Sequence, residues 1–599
     1  MGEIDKPKSR TILADYFLGF ATRAVSGGAR PWRLYYETEG DAGLKPPRCD
    51  AAFSGDLYVT GDIKDIASTY YPAIGPYDVT DPDVAEYHVL LAKAAGIDAF
   101  MAEYTMGQEA QLLSLVQAAR TYNFCIGVNW ITQSHLAENT WRDRDEAMAK
   151  AHELVRWMAK HVYEPCGVRV DGRYLLMIFL AHPREPAKPF DPFFSPDEVR
   201  ALKRTALEAG CDANFLVLPW EPLPESPAPA PARPGERVWD GYFPWVLRLN
   251  EPVPADQRWT HASSRAGFIE RMQTYYATSR RLRDEGRIGT YIGGVCPGFD
   301  DHKGQAWGEG HRRHLPRDAG QTLADSWKAM DEAGVDTGMI ITWNDWAESS
   351  QIEPSLELGS NDLIECARQI ARWKQTNSDP RLLAMPLRLF TARKDVWLLE
   401  CAGVHLYETR VANEVLNRVA LAIAHLDPIH AAELLGQAVA HIDAIKERLH
   451  TAAVHAFWEF GFNAAGIAAV NNDPITTTTV ENFTGIAFDA SASTIGFAVT
   501  EEVRQTIQRG HLVGRLCVEY LDTGVDFVQV LVDAPDDAHR VIASFKKRNT
   551  GKWQRASMEL VNARFTRGLD GGADITITQR PGTTGGVRMV RIDGTVYGL

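Results

Sequence analysis

"DPDVAEYHVLLAKAAGIDAFMAEYTMGQEAQLLSLVQAARTYNFCIGVNW", Asp81 to Trp130, sets the rhythm of the chain. An Asp-Pro start opens a helical apolar pattern over 83–95, Gly96 stops it, and a short buried-looking strand follows at 99–102. A second helical pattern over 109–121 leads into a second apolar run at 124–128. Helix, strand, helix, strand, with strands too apolar for a solvated face, is the texture of parallel βα units.

The rhythm extends in both directions. Strands are expected at 69–71, 99–102, 124–128, 174–179, 215–218, 238–242, 289–293 and 337–341, and helices at 83–95, 109–121, 144–162, 196–209, 263–285, 321–333 and 362–376. Ser195-Pro196-Asp197-Glu198 combines a capping serine, proline at the first helical position and acids in the first turn. Eight strands, with no GxGxxG after the first, predict a TIM (β/α)8 barrel over 61–380 rather than a doubly wound sheet. The unit around Val238 lacks a following helix until Ser263. The proline-alternating segment 223–236 reads as an excursion at the rim. Residues 1–60 contain a strand-like piece at 32–38 and stay unassigned. Over 381–470 two short strands (387–399) and a helical hairpin (411–463, broken at Asp427-Pro428) are expected. From 471 to 599, strands at 476–480, 494–499, 516–520, 527–532, 539–545, 557–560, 574–578 and 587–592 indicate a β-sandwich that could bind carbohydrate.

In such a barrel the chemistry sits at the C-terminal ends of the strands. Those ends carry Tyr71, Glu103, Asn129-Trp130, Trp220-Glu221, Asp240, Asp300-Asp301-His302, and finally Trp343-Asn344-Asp345-Trp346 with Glu348 and Glu353. Acids interleaved with flat aromatic rings suit a sugar: rings cover its apolar faces, and two carboxyl groups cleave an acetal, one as acid and one as base or nucleophile. Asp345 and Glu348 are the expected catalytic pair, with Glu348 as general acid. Tyr71, Glu103, Trp130, Trp220, Glu221, Asp240, Trp343, Asn344, Trp346 and Glu353 are expected to line the sugar, Glu353 as an orienting or hydroxyl-binding group. His311-Arg312-Arg313-His314 reads as a solvated rim loop. No HExxH and no His-x-His at a strand end occur, so neither a metal nor another cofactor is expected.

The run Tyr70-Tyr-Pro-Ala-Ile-Gly-Pro-Tyr-Asp, with Lys93-Ala-Ala-Gly-Ile-Asp-Ala-Phe and Thr342-Trp-Asn-Asp-Trp-Ala-Glu-Ser-Ser-Gln-Ile-Glu-Pro-Ser, resembles proteins of glycoside hydrolase families 71 and 99. Gln351-Ile352-Glu353-Pro354 is similar to family 99, which carries Glu where this chain has Asp345; Trp343-Asn344-Asp345 and Glu348-Ser349 are similar to family 71. The resemblance implies an endo-α-mannosidase on one side and an α-1,3-glucanase on the other. In the family 99 pattern the acid at 345 assists attack by the substrate's own 2-hydroxyl and Glu348 is acid/base. Asp345 is a methylene shorter, which leaves room for a water and an inverting outcome. The alternative is a non-catalytic carbohydrate-binding protein.

Composition narrows the partners. A net charge of −15, from 63 basic and 78 acidic residues, disfavours nucleic acid and anionic membranes. No apolar run is long enough to span a bilayer. The eight cysteines have no paired or metal-ligand spacing. The expected partner is an oligosaccharide or polysaccharide, and the helical hairpin is a candidate surface for a homo-oligomer. The first residues lack a signal-peptide pattern, which predicts a cytoplasmic protein, or a secreted one if a leader has been removed.

Overall fold

The computed structural model describes residues 10–26, 32, 53–132, 141, 143–179, 194–219, 237–246, 251–252, 261–304, 312–404, 406–461, 464–470, 476–488, 493–534, 537 and 539–598. Eight parallel strands close into a ring: β1 Thr11–Phe17, β2 Ala99–Tyr104, β3 Cys125–Ile131, β4 Arg173–Phe179, β5 Ala213–Val217, β6 Gly241–Tyr242, β7 in two segments Thr290–Tyr291 and Gly293–Val295, and β8 Thr337–Ile340. The first segment of β7 pairs with β6 and the second with β8, and β8 pairs with β1, which completes the circle.

Period-two alternation decides what the ring encloses. Leu13, Ala99, Met101, Leu175, Met177, Leu216, Ile292, Met339 and Ile341 form one buried cluster inside it. The interior is crowded enough that a Cβ at Gly127 would collide with the Met101 sulfur. Two residues further along three strands the same face turns polar, giving Asp15, Glu103 and Asn129. Register puts Glu103 beside Phe17 on one side and Asn129 on the other.

The outer faces are covered by helices Pro82–Ala94, Glu109–Thr121, Arg144–Met158, Pro196–Glu208, Arg265–Asp284, Gln321–Ala333 and Asn361–Lys374. Ser195 and Glu198 form the full capping box. Gly96 and Gly334 end their helices at φ 83° and 65°, left-handed positions that favour glycine. Among the described residues no helix separates β5 from β6; the proline-rich segment 223–236 lies outside them.

The barrel, helical hairpin and C-terminal β-sandwich are as expected, but three local readings are corrected. Residues 69–71 are not a strand; the first barrel strand is Thr11–Phe17, from the stretch left unassigned. Of the piece at 32–38, only Trp32 is described. Residues 387–399 are not two strands but lie in one helix, Met385–Cys401, because Leu389, Ala392, Val396 and Leu399 share one helical face and bury it. The hairpin Leu406–Ala424 and Pro428–Lys446 forms with Asp427 as cap, and from His450 the chain is already strand.

These helices pack on the first barrel helix. Arg393 makes a bidentate pair with Glu86 (3.0 Å and 3.0 Å), and Lys394 bridges Asp81 and Asp83 (2.7 Å each). Beyond them, two antiparallel sheets share one apolar core that includes Leu516, Met558 and Ile592 from one and Phe497, Val530 and Ile577 from the other. The larger sheet ends in a hairpin from far away in sequence: Leu57–Thr60 and Ile63–Lys64, on the excursion between β1 and the first barrel helix, pair onto Trp553–Val561. Asp56 secures the hairpin, accepting from Ser544 N (3.1 Å) and from Arg23 Nε (3.0 Å).

Candidate active site

The segment 342–355, directly after β8, is bound to the rest of the barrel top by its own side chains. Asn344 continues the ladder past the last strand: its Oδ1 accepts from Phe17 N (2.7 Å) and its Nδ2 donates to Phe17 O (3.1 Å), as a peptide group would. Trp343 N donates to Asp15 O (2.7 Å). Thr342 Oγ1 accepts from Asp345 N (2.9 Å), and the Asp345 carboxylate accepts from Glu348 N (3.0 Å), so residues 342–348 form one tight turn.

Beneath the turn lies a buried polar knot centred on Glu353. Its Oε2 accepts from the Tyr77 hydroxyl (2.8 Å) and the Trp346 indole N–H (3.0 Å), and its Oε1 meets His88 Nε2 (3.0 Å). Tyr16 closes the chain at His88 Nδ1 (2.9 Å). With the imidazole proton on Nε2, every polar atom of Glu353 receives a donor.

Above it four carboxyl groups converge at the C-terminal end of the barrel: Asp15 (0% exposed), Asp345 (2%), Glu348 (8%) and Glu103 (9%). Asn129 Nδ2 donates to Asp15 Oδ1 (3.0 Å), and Glu103, on the adjoining strand β2, faces the Asp15 carboxyl from the same inner face. Among the described residues one guanidinium faces the group: Arg313 holds Asp301 through Nε (2.7 Å) and reaches Glu348 Oε1 through Nη2 (3.4 Å). So many acids around one cation cannot all ionise. Burial pushes the Asp15 carboxyl up to about 7. Glu103 is held well above the ordinary carboxylate range by burial and then by the charges of Asp15 and Asp345. Asp345 is held high by burial and then by Glu348. Among the described residues no three His, Cys, Asp or Glu side chains are placed as metal ligands would be.

Of the residues expected to act, Asp345, Glu348 and Glu103 are brought together. Asn344, Trp346 and Glu353 sit directly below as scaffold. Trp343 and Trp130 are fully buried between sheet and helices, Trp343 against the His88 and Phe100 rings and Trp130 against Phe194, so neither offers a face to a sugar. Tyr71 is turned away, its hydroxyl between Lys64 N and Asp62 O (3.2 Å each). Asp240 belongs to the opposite end of the barrel: it precedes β6, accepts from Phe215 N (2.9 Å) and pairs with Lys203 (2.8 Å). Trp220 and Glu221 lie outside the described residues. Asp15 is an addition the strand ends did not reveal. Arg313 is a second: its guanidinium faces the acids, although the run 311–314 reads as a solvated rim, and His311 lies outside the described residues.

A cleft of about 1050 Å³ opens at the other end of the barrel, among Arg10, Lys93, Asp98, Asn123, Trp373 and Lys374. Its cations are already engaged: Lys374 with Asp98 (2.5 Å), Lys93 with the carbonyls of Tyr122 (2.7 Å) and Asn123 (2.9 Å). Chemistry in closed parallel barrels belongs to the C-terminal end, where the carboxyls are.

Residues 69–365, just under half of the chain, match the family described as Glycosyltransferase WbsX. Among solved structures the chain is similar to the GH99 endo-alpha-mannosidase from Bacteroides thetaiotaomicron, at 18% identity and TM-score 0.42, covering 61% of this chain and 97% of that one. It is similar to a protein described as glycoside hydrolase-like, at 13% identity and TM-score 0.41, covering 62% and 96%. No curated protein matches. The resemblance carried by the 70–78 and 342–355 motifs is met by the family match, which spans both.

Proposed function

We propose that this chain is a glycan-processing enzyme that cleaves an α-linked glycan, α-mannoside or α-glucan, using Asp345 and Glu348 as its reacting carboxyls. The observation that carries this reading is the buried acidic group at the barrel's C-terminal end, organised around a turn in which the backbone of one acid holds the carboxylate of the other. Acetal cleavage needs a carboxyl that gives a proton to the leaving oxygen and a second that takes one from the attacking oxygen. Glu348, the more exposed of the two and the one facing Arg313, is assigned to the glycosidic oxygen. Asp345, deeper and with a high affinity for protons, is a strong base once ionised, suited to an attacking water or to the sugar's own 2-hydroxyl. Glu103 and Arg313 complete the wall.

The family description favours a second reading, in which a sugar hydroxyl replaces water as the acceptor. The same two carboxyls serve both. Incubation with α-mannans and α-glucans separates the outcomes: new reducing ends mean hydrolysis, elongated or rearranged glycans mean transfer, and binding without either means a non-catalytic carbohydrate-binding protein. Glu348→Gln should lower turnover on the responsive glycan by about 10²–10⁴ with the fold retained. Full activity in that variant removes Glu348 from the mechanism.

A further inference from the structure

We propose that Asp15 is a positioning residue for this reaction: it shares one proton with Glu103, and the charge left on that pair governs how readily Asp345 and Glu348 ionise. The inference rests on the reading of Asp345 and Glu348 as the reacting pair, but the proton sharing can be tested without it.

Three observations place Asp15 in this role. Its side chain lies on the barrel axis, on the face it shares with Leu13, one step along from where that face stops being apolar. Its backbone carbonyl accepts from Trp343 N (2.7 Å), so the strand carrying it is fastened to the turn carrying Asp345. Its carboxylate is fully buried, with Oδ1 taken by Asn129 Nδ2 and no amide or hydroxyl donor for Oδ2. The neighbouring carboxyl on this face, Glu103, can satisfy that oxygen only if one of the two acids carries a proton.

That proton sits on Glu103. Asp15 has Asn129 to satisfy its ionised form, whereas Glu103 faces the charges of Asp15, Asp345 and Glu348 together. Asp15 in turn faces Glu103 from β2, Asn129 from β3 and Glu348 from the turn after β8; Arg313 is the cation of the group. Ionised Asp15 raises the proton affinity of Asp345. Neutralising Asp15 lowers it. Asp15 lies outside the segment 69–365 matched to the family.

Asp15→Asn isolates the charge. Asn129 Oδ1 is buried without a partner, so if the Asn129 amide turns over, the new Nδ2 donates to it and the new Oδ1 accepts from Glu103. The geometry survives and the charge is gone. Glu103→Gln is the companion variant, its amide N–H replacing the shared proton.

Carboxyl protonation in the full chain, read by infrared spectroscopy with isotope-labelled Asp and Glu, should show in the wild type one Glu that keeps its proton through the neutral range and, besides Asp345, an Asp that titrates near pH 7 and is assigned by its loss in Asp15→Asn. Asp15→Asn should abolish the Asp signal near pH 7, leave that of Asp345, and move the Glu signal to lower pH; Glu103→Gln should abolish the Glu signal and leave the Asp15 signal near pH 7, because one neutral donor replaces another. On a cleaved glycan, Asp15→Asn should move the acidic limb of the kcat profile down by about one pH unit, a tenfold change in the protonated fraction, with KM changed less than about twofold. Ordinary carboxylate titration of both residues in the wild type overturns the sharing. Sharing with an unmoved rate profile overturns the positioning role. If no glycan is cleaved at all, the proposed function fails while the spectroscopy still decides the pair.

Discussion

Glu353 offers the sharpest test of how the barrel top is held. Its side chain is wholly buried and receives three donors, from Tyr77, Trp346 and His88, at 2.8–3.0 Å. Glu353→Ala strands all three. A buried donor left unpaired costs about 1–3 kcal/mol, and the losses overlap because Tyr77 and Trp346 also touch each other, so the total should be about 4–6 kcal/mol. Glu353→Gln is milder. Its remaining oxygen can serve Tyr77 and Trp346, while its amide turns to His88 Nε2; the imidazole then moves its proton to Nδ1 and donates to Tyr16. The three bonds to the carboxylate become bonds to a neutral amide, at about 1.5–3 kcal/mol in all. Denaturant unfolding followed by tryptophan fluorescence reads both, since Trp343 and Trp346 lie at the knot. A residue that merely touched substrate would leave stability unchanged. If both variants unfold within about 0.5 kcal/mol of wild type, Glu353 is no anchor and the account of the 342–355 segment is wrong.

Two further outcomes follow from the same structure. Arg393→Met leaves Glu86 buried against Tyr122 without its guanidinium and should destabilise the helical region's contact with the barrel by about 3–5 kcal/mol; a smaller loss than about 1 kcal/mol would show that the pair is dispensable. Asp15 is near pH 3.9 when unfolded and about 7 when folded, so the folded state binds the extra proton: its contribution is full below about pH 4 and lost as pH rises through 7. Glu103 and Asp345 shift in the same direction. Unfolding free energy should therefore fall between about pH 5 and pH 8, and fall less in Asp15→Asn; a rise over that interval would contradict the charge crowding at the barrel top.

Local periodicity made most of the barrel legible. The pattern from Asp81 to Trp130 specifies its elements because each buries its own face, and Ser195 to Glu198 announces a helix start with groups that satisfy its own backbone. Glu103, Asp345 and Glu348 could be found because strand ends are countable. What failed depends on information that is not local. Trp130 follows Asn129 by one residue, and one residue decides between the axis and the outer layer; the side-chain type does not. Asp240 sits before a two-residue strand, and with so short a strand its two ends are indistinguishable in the sequence. Asp15 was hidden because β1 is separated from the first barrel helix by an excursion of some sixty residues, breaking the rhythm that identified every later unit. Residues 387–399 have apolar groups at spacings that serve either structure until the neighbouring helices show which face is covered.

The hairpin Leu57–Lys64 has a consequence for how the chain is made. It leaves the ribosome well ahead of the strand it joins, Trp553–Val561, which lies far downstream in the sequence. Until that strand is made its partner edge does not exist, and the link leading into the first barrel helix has only one end fixed. The barrel strands are all made before then, but the excursion after β1 is fastened only once the strand at 553–561 has folded into its sheet. A nascent chain stalled or truncated ahead of residue 553 would carry an unpaired strand on the excursion after β1, exposed to pairing with a second copy of itself.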